Sequence, residues 1–202
     1  MKFSAVQFDD AAKKRIRQAA ELEKRLRLEA FLGVSTEIGP FKMRPLEIRH
    51  VLEMEYGENR LNKGVDVEID DLVHLLWIVK PASEKRTEKS FAKFVSSNMN
   101  PIYELEIKGF FFAQFSDLPS SKAEGKSRSV GEFESAIWLG SLLDRLCSEY
   151  GWTIKEVMQT PISVAFQLLQ CILKRDDPKY AFRNSITQAA KAKEMKERNY
   201  RG

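Results

Sequence analysis

Histidine and cysteine are the side chains best suited to ligate zinc or to act as base and nucleophile near neutral pH. This sequence offers only His50, His74, Cys147 and Cys171. A structural zinc needs four such ligands brought together, and these four lie scattered, with no further ligand at a useful spacing. No metal and no cofactor are expected. Two cysteines in a chain without a secretory signal read as buried thiols. His74, inside the most apolar stretch, reads as a core histidine, and His50, between Arg49 and Val51, as a surface or boundary residue. There is no phosphate-binding glycine loop, dinucleotide fingerprint, nucleophile elbow or zinc-protease motif. Glu53 and Glu55 are two apart, so a helix turns them to different sides. Asp70-Asp71 reads as a helix cap and a first-turn acid favoured by the helix dipole. Nothing in these spacings points to an enzyme.

One polar stripe does suggest recognition. After Thr160-Pro161, Ser163, Gln167, Gln170 and Lys174 recur at helical spacing, with Ile162, Phe166, Leu169 and Ile172 or Leu173 opposite. A short helix, Ile154 to Gln159, precedes them, so the pair loosely resembles a helix-turn-helix, and Gln reads adenine in a major groove. Arg183, Lys191 and Lys193 in the basic C-terminal segment would add phosphate contacts. The stripe holds a single strong cation, however, and Glu194 and Glu197 interrupt the tail. A solvated face is the simpler reading, and nucleic-acid binding stands as the alternative.

The elements that carry these residues are helical. Ala12, Ile16, Ala19, Leu22, Leu26 and Ala30 form one apolar face of a long helix from about Asp9 to Leu32, ended by Gly33. Val34 to Met43, centred on Gly39-Pro40, reads as a turn or short hairpin. A second helix is expected to open at Pro45 and stop at Gly57. Asp70 is expected to cap a third, whose body Leu72–Val79 is apolar almost all round and belongs at the centre of the fold. Ser83 is expected to cap a fourth. Residues 102–115 alternate like a strand from Tyr103 to Lys108, yet Asn100-Pro101 is a helix start and Ile102, Leu105, Gly109 and Phe112 share a helical face, so helix is preferred. After these come a helix from Gly131 to Tyr150, a short one capped by Thr153, a cap-plus-proline helix at Thr160-Pro161, and a last one capped by Ser185.

The expected fold class is all-α, a multi-helix bundle in two helical units joined by a polar linker. The units are residues 1–118 and 131–182, the linker is 119–130 (PSSKAEGKSRSV at its core) and a basic helical tail covers 183–202. The chain has 202 residues, 43% of them hydrophobic and 31% charged. That suffices for a sizeable core without disulfides and excludes collagen-like, mucin-like and wholly disordered chains. No uncharged run is apolar enough for a membrane span, and the N-terminus lacks a secretory signal, so the expected compartment is cytoplasmic. The net charge of +4 resides in the last twenty residues, while Leu46 to Asp71 is strongly acidic. Opposite charges on one chain suggest self-association, a homo-oligomer being the expected form.

Two stretches taken together resemble the tail assembly chaperone-like proteins of tailed phages and prophages. The first runs from Pro45-Leu46-Glu47 through Leu52-Glu53-Met54-Glu55 and Gly57-Glu58-Asn59-Arg60-Leu61-Asn62-Lys63-Gly64 to Asp70-Asp71-Leu72 and Leu75-Leu76-Trp77-Ile78-Val79. The second runs from Phe112-Ala113-Gln114-Phe115-Ser116-Asp117-Leu118-Pro119 to Tyr150-Gly151-Trp152-Thr153, Glu156-Val157-Met158, Thr160-Pro161 and Gln167-Leu168-Leu169-Gln170. The resemblance covers roughly residues 30 to 175. It implies a non-enzymatic helper that coats the phage tape-measure protein and hands it to the tail-tube protein, with a structural tail or connector protein of the virion as a further alternative beside nucleic-acid binding. A long helical partner would be held in hydrophobic grooves, with many weak sites acting together. Phe110, Phe111, Phe112, Phe115, Trp138 and Trp152 are the candidate groove residues, and the same aromatics would serve equally as core.

Overall fold

The structure is a computed structural model that describes residues 10–64, 66–119 and 135–180. Among these the chain is predominantly all-α, with eight α-helices and one two-stranded hairpin. The first helix, α1 (Asp10–Leu32), ends where Gly33 adopts a positive φ and its amide donates to the Ala30 carbonyl. The hairpin follows: β1 (Thr36–Ile38) pairs antiparallel with β2 (Phe41–Met43), Ile38 opposite Phe41. Gly39 at its turn is required twice over, by a φ of +52° and by the Tyr103 ring, 2.4 Å from where a Cβ would stand.

Helix α2 (Ile48–Tyr56) starts three residues after Pro45 rather than on it. Its N-cap is Glu47, whose backbone amide donates to Nδ1 of His50 at 3.1 Å. The side chain three residues into the helix thus satisfies one of the donors a helix start leaves orphaned. A 3₁₀ turn, Arg60–Lys63, leads to α3 (Ile69–Val79). Glu68, not Asp70, is its cap, and Asp71 accepts from the Glu68 amide at 2.8 Å. Asp71 also holds the Arg60 guanidinium at 2.9 Å. The backbone and guanidinium donors around it outweigh its partial burial and keep its carboxyl below the usual aspartate range. As expected, α3 runs through the centre: Leu72, Leu75, Leu76, Ile78 and Val79 are buried.

Helix α4 (Glu88–Asn98) begins at a Thr87 cap, four residues beyond Ser83. The ambiguous segment is helix α5 (Pro101–Gln114), whose start is fixed by the Asn100 side chain accepting from the Ile102 and Tyr103 amides, both at 2.9 Å. The local start signal prevails over the alternation. Helix α6 (Ser135–Tyr150) is followed by α7 (Ile154–Met158), where Thr153 and Glu156 form a reciprocal cap. Helix α8 (Ile162–Asp176) takes Pro161 as its N-cap residue, one step earlier than first-turn proline would stand.

One hydrophobic core unites the helices on both sides of residues 120–134, from Leu26 through Leu72 and Phe110 to Leu142 and Phe166. Backbone hydrogen bonds reinforce it. The Ile48 amide donates to the Thr160 carbonyl at 3.1 Å, the Ile162 amide donates to the Leu46 carbonyl at 2.8 Å, and Glu47 and Pro161 form an isolated antiparallel bridge. The expected linker beyond Pro119, the tail 183–202 and its Ser185-capped helix lie outside the described residues.

Candidate functional site

Helix α1 has 23 residues and α5, its principal partner, has 14. At 1.5 Å per residue these are about 35 Å and about 21 Å long. A continuous apolar stripe on α1 therefore cannot be covered along its whole length. Leu26 and Ala30 are buried and Leu22 packs against the core, but Ile16 and Ala19, on the same stripe, are exposed. Where the two helices part, a groove of about 380 Å³ opens. Leu26, Gly109 and Ala113 form its floor, with Ala19 and Leu22 on one wall and Leu105 and Phe112 on the other. Gly109 permits this approach: a Cβ there would lie 3.3 Å from Leu26 Cδ1.

The groove is apolar with charged lips. Leu105 is 72% exposed and Phe112 51% exposed, and Ile102 extends the same open face of α5. Glu23 and Arg27 form an ion pair on the α1 lip, and Glu106 stands on the α5 lip. Large aliphatic and aromatic surface left open along one helix seam is the kind of surface into which an amphipathic helix lays its apolar face.

The aromatic residues expected to line a groove are divided by the structure. Phe112 lines it. Phe110 and Phe111 are buried, and Phe115 is half-buried against Phe111 and Phe166, with ring centroids 5.0 and 6.0 Å apart. Trp138 stacks on Phe166 at 6.0 Å and Trp152 on Tyr150 at 5.4 Å, both half-buried. Helical rotation explains the split, since consecutive residues on a helix point about 100° apart. Leu105 lies seven residues, about two helical turns, before Phe112 on the same face, and its recurrence with Ile102, Gly109 and Phe112 is the sequence signal for that face.

The polar stripe on α8 is corrected by the structure. Ser163 and Gln170 are buried. The Ser163 hydroxyl donates to the Ala30 carbonyl, Gln167 Nε2 donates to the Phe31 carbonyl at 3.0 Å, and Gln170 Nε2 donates to the Asp117 carbonyl at 2.6 Å. Ser163 and Gln167 serve carbonyls left over in the last turn of α1, and Gln170 serves a carbonyl in the turn after α5. Lys174 Nζ is likewise engaged, with the carbonyls of Pro178 and Tyr180. Gln167, Gln170 and Lys174 do not form a free reading face. Arg183, Lys191 and Lys193 lie outside the described residues.

A second concavity, about 220 Å³, is lined by Arg44, Arg49, His50, Glu53, Trp77, Ile78 and Lys80. Its cations are occupied: Arg44 Nε donates to the Lys80 carbonyl at 2.8 Å, Arg49 pairs with Glu47 at 2.6 Å, and Lys80 sits 4.0 Å over the Trp77 ring. His50 is buried, not a surface residue. Burial first, then the neighbouring Arg49 and Arg44, lower its pKa to about 4. It is neutral at pH 7, with Nδ1 accepting the Glu47 amide. Among the described residues no cluster of three or more His, Cys, Asp or Glu is arranged to hold a metal ion, and no helix is long and apolar enough to cross a membrane. No family model, no curated protein and no solved structure matches the chain.

Proposed function

We propose that this chain is a non-enzymatic tail assembly chaperone of a tailed phage or prophage. In this reading it works in the bacterial host cytoplasm, holds the tape-measure protein and helps recruit tail-tube subunits. The observation that carries the reading is the open apolar groove between α1 and α5, walled by Leu105 and Phe112. A tape-measure protein is a long helical chain whose apolar faces aggregate when uncovered. A short groove takes two or three anchors spaced three or four residues apart on such a helix. Each contact is weak, and many copies along one chain act through high local concentration. The sequence resemblance around Gly57–Gly64 and Tyr150–Thr153 supports the same assignment.

The test is co-expression with the tape-measure protein encoded nearby. Wild-type chain keeps that protein soluble and co-purifies with it, and the double substitution Leu105→Asp and Phe112→Asp abolishes both effects while retaining the helical signal. Equal recovery with the double variant sinks the groove assignment. Stoichiometric amounts of this chain in purified particles would identify a structural component instead.

A further inference from the structure

The overhanging part of α1 raises a question separate from the groove. Asp10 to Ala20 is helix with almost no tertiary cover, and isolated helices of that length are marginal in water. The segment carries Lys13, Lys14, Arg15 and Arg17 against Asp10 alone. Lys13 pairs with Asp10. Lys14, Arg15 and Arg17 are exposed and form no ion pair among the described residues, and Ile16 presents an apolar side chain among them.

The complementary surface exists on the same chain. The end of α2 and the start of α3 meet through Asn59, whose side chain donates to the Asp71 carbonyl at 2.9 Å. Around this junction stand Glu55, Glu58, Asp66 and Asp70, none of which forms an ion pair among the described residues. Arg60, in the turn between α2 and α3, is already engaged by Glu68 and Asp71. Burial without a cation pushes the Glu55 carboxyl up, the condition that an incoming Lys or Arg relieves. Tyr56, 94% exposed, supplies a flat apolar face in the middle of the acidic patch.

We propose that the chain self-associates by docking the overhanging basic half of α1 from one copy onto the acidic α2–α3 junction of a second copy. Charge complementarity selects the occupant: both halves of the contact are unsatisfied, and every copy brings both in equal number. Ile16 would lie against Tyr56, and Lys14, Arg15 and Arg17 would meet the four carboxylates. Such a contact either closes as a reciprocal pair or runs head to tail. It leaves the α1–α5 groove open, so it does not depend on the chaperone reading.

Two variants of the full chain test this by light scattering after size separation. One is Lys14→Glu, Arg15→Glu and Arg17→Glu together, the other Glu55→Lys, Glu58→Lys and Asp70→Lys together. In salt of about 50 mM the wild type should exceed the mass of one chain, and salt of about 500 mM should dissociate it. Each variant alone should associate at least about tenfold more weakly. Mixed, they should associate again, because the unchanged basic arm of one meets the unchanged acidic patch of the other and the two reversed surfaces are complementary as well. That recovery also shows both variants to be folded, and circular dichroism checks the same point. A wild type that stays a single chain in low salt, variants that associate as the wild type does, or a mixture that stays single would each overturn the proposal.

Discussion

Two seams hold this molecule together, and they are built in opposite ways. Where α8 and the residues before it meet the start of α2, the end of α1 and the turn after α5, the chain uses hydrogen bonds between distant segments: Ile48 to Thr160, Ile162 to Leu46, Ser163 to Ala30, Gln167 to Phe31 and Gln170 to Asp117. Where α1 meets α5, the contact is apolar and stops short, leaving Leu105 and Phe112 in the open. Directional bonds fix one arrangement, whereas a greasy, half-filled seam accepts a range of apolar shapes. The first seam is suited to permanence and the second to exchange with a partner.

Substitutions should separate the seams by the size of their effect. Phe166, fully buried between Phe115 and Trp138, anchors the closed seam. Phe166→Ala should cost about 3–5 kcal/mol in chemical denaturation. Gln170→Ala removes the donor to the Asp117 carbonyl and should cost about 1–3 kcal/mol. Phe112→Ser and Leu105→Ser should move stability by no more than about 0.5 kcal/mol while weakening capture of a helical partner. A groove substitution as costly as Phe166→Ala would mean that the open seam is structural after all.

Acid should loosen the closed seam through His50. Its pKa is held at about 4 against the ordinary 6.5, so the unfolded chain takes up a proton that the folded chain refuses. The stability is full above pH 6.5, is lost as the pH falls from 6.5 toward 4, and is not reduced further by this group below that. The slope should be about 1 kcal/mol per pH unit in that window. Asp71 and Glu156, whose carboxyls are held low, add losses at lower pH as they protonate. Denaturation midpoints followed across this range, compared with His50→Gln, check the assignment. Gln keeps an acceptor for the Glu47 amide without a proton to gain, so the slope above pH 4 should flatten.

Much of the scaffold was legible because its signals are local. Asn100-Pro101, Gly33 and Thr153 mark helix ends within four residues, and the structure uses each of them. What escaped was long-range. Periodicity marked Ser163, Gln167 and Gln170 as one polar face, but not that the face meets carbonyls 53 to 136 residues away. It marked α1 as apolar along one side, but not where its partner ends. His50 escaped for a different reason: its role depends on the Glu47 amide three residues back, and histidine is an unusual choice at a position where Glu or Gln commonly serves. Of the six candidate aromatics only Phe112 lines the groove, because a run of adjacent phenylalanines cannot all face one way on a helix.

The bridge between Glu47 and Pro161 also sets an order of events during synthesis. The first turn of α2 borrows the Thr160 carbonyl, and the end of α1 receives the Ser163 hydroxyl. A ribosome must therefore deliver residue 163 before residues 30 and 48 are fully partnered. Such distant pairings slow folding, and a growing chain that has made only α1 to α5 carries apolar surface meant for α8. The nascent protein is itself a client for protection until its last third emerges.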